Sequence, residues 1–83
     1  MFITVEGPEG AGKSTQVRLL ADHLRQQGQA VVVTREPGGT PIGDQIRHVL
    51  HSTDNTAMVP TAEMLLYAAS RAQLVSEVIR PAL

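Results

Sequence analysis

The sequence predicts an α/β fold in which a parallel sheet is flanked by helices. Two apolar segments, residues 1–5 and 30–33, bracket a stretch whose apolar positions recur at helical spacing. Strand, helix and strand within about 30 residues make a βαβ unit with a right-handed crossover. A glycine-rich turn, residues 7–12, joins the first strand to that helix. The second strand, Ala30-Val31-Val32-Val33, is apolar at every position, so the pattern calls for cover on both faces, as in a parallel sheet.

The elements follow in order. Residues 1–5 end at Glu6-Gly7, as a short buried strand does. From Lys13 the stripe Val17, Leu20, Ala21 and Leu24 falls at i, i+3, i+4 and i+7, with Arg18, Asp22 and Arg25 off it. Gly28 is placed to end that helix. Residues 34–41 read as a loop, at whose end Thr40 is a fitting N-cap and Pro41 a fitting first residue for a second helix. That helix carries Ile42, Ile46, Val49 and Leu50 on one stripe. Residues 52–59 are a polar connection, and Pro60 or Thr61 opens a third helix running toward Pro81. Two strands and three helices do not close a layered α/β domain, and an isolated strand pair is marginal. The 83 residues are therefore expected to be the N-terminal part of a longer, single domain.

Composition excludes several classes. Apolar residues make up 42% of the chain and the net charge is −1, which is not a disordered composition and leaves no basic footprint for nucleic acid. One Phe, one Tyr and no Trp cannot build a base-stacking platform. There is no Cys, hence no disulfide, no thiolate metal site and no Cys nucleophile, which favours a reducing compartment. No apolar run is long enough to span a membrane, and residues 1–6 lack the basic start of a signal peptide. The expectation is a cytoplasmic protein with neither nucleic acid nor membrane as partner.

The chemistry begins at Gly7-Pro8-Glu9-Gly10-Ala11-Gly12-Lys13-Ser14, which fits the phosphate-binding P-loop pattern G-x-x-x-x-G-K-[ST]. Phosphate oxygens need several backbone N–H groups converging on them, and side chains at the contact points would block that approach. The helix from Lys13 adds the positive end of its dipole. Lys13 brings an ammonium to the terminal phosphates, and the Ser14 hydroxyl suits Mg²⁺. The spacing of Gly7, Gly10 and Gly12 does not fit a dinucleotide fingerprint. A P-loop names phosphate binding and leaves the reaction open.

Arg35-Glu36-Pro37-Gly38-Gly39-Thr40 follows directly on the second strand. Ligands of open α/β sheets bind beyond the carboxyl ends of strands, so this segment reads either as an acceptor pocket or as an ordinary turn. Glu36-Pro37 is a site where a cis bond is conceivable. Arg47 reads equally as a phosphate ligand or a solvated helix arginine. His48 and His51, without a Cys or a third His, read as surface residues. In the third helix Met64, Tyr67, Ala68, Arg71, Leu74, Val75 and Val78 share one face with Arg71 at its middle. Glu63 and Glu77 face elsewhere, so Arg71 either meets a ligand anion, with Tyr67 stacked on a base, or snorkels to solvent.

The P-loop run to Thr15, the R-E-P-G-G-T segment at 35–40 and Leu65-Leu66-Tyr67-Ala68-Ala69-Ser70-Arg71 together closely resemble bacterial thymidylate kinase. The resemblance spans nearly the whole chain, and it implies a P-loop NTPase-type domain that transfers the γ-phosphoryl group of ATP to dTMP, giving dTDP. It further implies ATP held by Gly7, Pro8, Glu9, Gly10, Ala11, Gly12, Lys13, Ser14 and Thr15, with Mg²⁺ helped by Ser14. By the same resemblance dTMP is held by Glu36, Arg47, Tyr67, Arg71 and, more weakly, Gln73, and Lys13 and Glu36 are catalytic. The family is usually homodimeric. Tyr67 stands where the family often has Phe, and Glu9 where some relatives have Arg. The family's D-R-[YF] segment and arginine-bearing lid do not occur in these 83 residues, so the chain is expected to be inactive by itself. The alternatives are a P-loop kinase with another nucleotide or small phosphate acceptor, or an inactive fragment of one. A regulatory NTP switch would need a D-x-x-G element, and none occurs.

Overall fold

Glycine and proline set most helix boundaries in the structure, a computed structural model that describes residues 1–8 and 10–83. The chain divides into two units, Met1–Val33 and Thr34–Leu83.

In the first unit α1 spans Lys13–Gln26, as the apolar stripe predicts. Ala21 is buried, Val17 and Leu24 are half-buried, and Leu20 is exposed. The helix ends in a Schellman motif: Gln29 N–H donates to the Leu24 carbonyl at 3.1 Å and Gly28 N–H to that of Arg25 at 3.0 Å, with Gly28 at φ 84°. Arg25 reaches past this cap and donates to the Val31 carbonyl at 3.2 Å, tying the second apolar segment to the helix end.

That segment and residues 1–5 are the two expected strands. Neither forms a strand, and no strand occurs among the described residues. Phe2 is 58% exposed and Val32 62%. The reason lies in what a strand is. Its backbone groups are satisfied only by a neighbour, and a run apolar on both faces needs cover on both. Two such segments alone supply neither.

In the second unit the structure follows the sequence closely. α2 spans Pro41–His51, with Pro41 in the first turn and Thr40 as N-cap, whose Oγ1 accepts the Gly43 N–H at 2.9 Å. Asp44 near the start complements the helix dipole. α3 spans Pro60–Leu74 and packs on α2. Its inner side is narrower than the predicted face: Ser70 and Leu74 are buried, whereas Met64 and Tyr67 are exposed. Past Leu74 the chain widens into a π-helical turn, Val75–Ile79, and closes with one α-turn, Arg80–Ala82. Pro81 has no N–H to offer the Glu77 carbonyl four residues earlier and its ring would crowd that group, which accounts for the wider register. No helix among the described residues is long and apolar enough to cross a membrane.

Candidate functional site

Two constellations carry chemistry, one in each unit. In the first, the glycine-rich loop leads into α1 through Gly12, the N-cap, at φ 78° and with no side-chain cap. The first helical bond runs from Gln16 N–H to the Gly12 carbonyl at 3.0 Å, so the amides of residues 12–15 have no partner within the helix. The first turn contains no acidic residue to offset the dipole. Lys13 stands at this end, its Nζ donating to the Gly7 carbonyl at 3.2 Å across the loop. Inside the loop Ala11 N–H donates to the Pro8 carbonyl at 3.3 Å. Backbone donors, a helix N-terminus and an exposed ammonium suit a dense anion such as a polyphosphate. Ser14 is exposed one residue into the helix. A single hard hydroxyl oxygen beside a phosphate site fits Mg²⁺, which is commonly bound through few protein ligands plus phosphate. Glu9, expected within this loop, lies outside the described residues.

The second constellation is the segment from Arg35 to Thr40, gripped between α2 and α3. Arg35 meets the Asp44 carboxylate at 3.5 Å, and the same oxygen accepts the Gly39 N–H at 3.0 Å. The Glu36–Pro37 bond is cis. The Pro37 carbonyl accepts from Arg47 Nη1 at 2.9 Å, and the Gly38 N–H donates to Ser70 Oγ at 2.8 Å. Gly39 has φ 85°, and a Cβ there would meet Thr34 Oγ1, the Arg35 carbonyl oxygen at 2.9 Å and Leu74 Cδ1 at 2.9 Å. Only glycine fits that approach.

These contacts bring Glu36 to Arg71. The carboxylate Oε2 accepts from Arg71 Nε at 2.9 Å and lies 2.8 Å from Nη2. The sequence argument that no protein acid reaches Arg71 is therefore corrected. The acid comes from a loop 35 residues earlier, while Glu77 accepts from Gln73 at 2.9 Å. The Arg71 side chain is 70% exposed, so its guanidinium is wet as well as paired. Tyr67, one helical turn before Arg71, is 41% exposed. Arg47 is half-buried and engaged by the loop, which corrects its reading as a solvated arginine. His48 and His51 are exposed, beside Asp44 and Arg47, in an open groove of about 510 Å³.

Sequence reasoning missed Asp44 and Ser70. Asp44 was legible only as a first-turn acid. Ser70 had one signal, a small polar residue adjoining Arg71, and its partner lies 32 residues away.

Comparison with known proteins covers both constellations. The sequence model of the thymidylate kinase family matches residues 5–83. The chain is 66% identical over 83 residues, its whole length, to a thymidylate kinase of Exiguobacterium sp., and 66% identical over 83 residues to one of Trichlorobacter lovleyi. It is 63% identical over 82 residues to one of Geotalea uraniireducens. The chain spans 39% of the length of the first two of these relatives and 38% of the third. A match that takes in both loops and all three helices means that this chain belongs to the thymidylate kinase family.

Proposed function

We propose that the full-length protein containing this chain transfers the γ-phosphoryl group of ATP to dTMP, giving dTDP on the route to dTTP. The observation that carries the reading is the family match over residues 5–83, which includes the phosphate cradle as well as the R-E-P-G-G-T loop.

The amides of residues 12–15 and the loop from Gly7 through Thr15, Glu9 included, grip the ATP phosphates. Lys13 exchanges its bond to the Gly7 carbonyl for the terminal phosphate oxygens and follows the charge as it moves to the leaving oxygen. The Ser14 hydroxyl helps to hold Mg²⁺, which supplies charge neutralisation on the phosphates when bound. At the acceptor, Arg71 is oriented by Glu36 and binds the dTMP phosphate. Arg47 braces the loop through the Pro37 carbonyl and lends positive charge. The exposed ring of Tyr67 offers a face for thymine, and Gln73 lies half a turn beyond Arg71. By the family resemblance Glu36 also serves the phosphoryl transfer, and it keeps the acceptor arginine in place. The resemblance also supports a cytoplasmic homodimer.

The test is a dTDP assay on the full-length protein with ATP, Mg²⁺ and a panel of nucleoside monophosphates. Preferential formation of dTDP is expected. Preference for a different phosphate acceptor, or no transfer to any, would overturn the assignment. The 83-residue chain alone is expected to yield no dTDP above a Lys13→Ala control.

A further inference from the structure

We infer that Ser70 is a positioning residue of the acceptor site: by accepting the Gly38 N–H it holds the 36–39 loop against α3, where the Glu36 carboxylate meets Arg71. The inference rests on the kinase reading and names a group that this reading does not use. Ser70 is 1% exposed and, with Leu74, among the most deeply buried side chains described. Its Oγ lies 2.8 Å from the amide of Gly38, itself a buried residue. A buried N–H left without a partner carries a desolvation cost, so this hydroxyl decides whether the loop can lie flat on the helix. Ser70 and Arg71 are consecutive on α3, and their partners Gly38 and Glu36 flank Pro37. One step of helix therefore grips the loop twice, once at a backbone amide and once at a carboxylate.

The two grips are unequal. The Glu36–Arg71 pair is largely wet, and an exposed ion pair between long side chains does not define its own geometry. Its geometry comes from the backbone on which Glu36 is mounted. Ser70 fixes that backbone from α3, while Arg47 at the Pro37 carbonyl and Asp44 at the Gly39 amide fix it from α2. A bulky side chain at position 70, such as leucine, would lift the loop, since Gly39 already lies against Leu74, the next residue along the inner side of α3. Alanine would leave the room and remove the acceptor.

The experiment compares full-length wild-type, Ser70→Ala and Ser70→Thr proteins in steady-state kinetics with dTMP and ATP. In Ser70→Ala the KM for dTMP is expected to rise roughly tenfold, while kcat and the KM for ATP stay within about twofold, the pattern of lost acceptor binding. Ser70→Thr, which keeps the hydroxyl, is expected to bring the dTMP KM back to within about threefold of wild type. A dTMP KM unchanged in Ser70→Ala, or dTMP and ATP constants rising together, would overturn the inference as a merely structural effect. Amide hydrogen exchange in the wild-type protein does not depend on the variant folding. The Gly38 amide should exchange at least about 100-fold more slowly than in an unstructured chain, and exchange at the unprotected rate would overturn the clamp. A wild-type protein that leaves dTMP untouched sinks the kinase reading instead, and Gly38 exchange then judges the clamp by itself.

Discussion

The two glycine-rich loops of this chain are held in opposite ways. The 7–12 loop turns through Gly10 and Gly12 in open space: a Cβ at either would meet nothing within 4 Å. Among the described residues, one lysine contact and one backbone bond cross it. The loop that carries Gly38 and Gly39 is fastened at each residue from Arg35 to Gly39, by side chains of Asp44, Arg47, Ser70 and Arg71. Burial follows the same division. Among the described residues the first unit buries only Ala21, whereas the second buries Gly38, Thr40, Gly43, Ser70 and Leu74 together. The lesson is that a loop which wraps a ligand with its own amides must leave them uncommitted. A loop that aims side chains at a ligand must instead be fixed beforehand, since misplacement is lost in binding.

The contrast can be broken at three points. The largest effect belongs to Lys13→Ala in the full-length protein. It should lower kcat by roughly 10³-fold, because a charge aimed at the transferring group is lost. Its dTMP affinity, measured by titration calorimetry, should stay close to wild type. Equal loss of dTMP binding would mean that the lysine serves the acceptor.

Arg71→Ala comes next. Leaving an acceptor phosphate and Glu36 without their cation should weaken dTMP binding by about 2–4 kcal/mol. The stability of the protein should change by less than about 1 kcal/mol, since the Glu36–Arg71 pair is exposed. Unchanged dTMP binding would reduce Arg71 to a surface arginine.

The smallest effect sharpens the comparison directly. Gly39→Ala must put a Cβ against Thr34, the Arg35 carbonyl and Leu74, and should cost about 2–3 kcal/mol in denaturant unfolding. Gly10→Ala meets only the left-handed backbone penalty and should cost about 1 kcal/mol. Similar costs for the two would mean that the second loop is no more tightly held than the first.

Much of the site was legible because its signals are local. The P-loop spacing, the Thr40 cap with Pro41 behind it, and Pro60 at the start of α3 each act within a few residues, and all three helices begin where these signals put them. The inner side of α3 was less legible. Apolar spacing marks a broad face, but the packing with α2 buries Ser70 and Leu74 and leaves Met64 and Tyr67 exposed. The expected sheet does not form among the described residues for a related reason: apolar runs at 1–5 and 30–33 state a preference, and a strand needs a neighbour to exist.

The amino-acid order by itself determined where the helices start and that a loop of the P-loop pattern opens α1, since caps, prolines and glycine spacing act through bonds a few residues long. Tertiary structure alone decided that Glu36 would answer Arg71 and Ser70 would answer Gly38, across 35 and 32 residues. Those pairings depend on the path of the backbone between α2 and α3, which no spacing along the chain encodes.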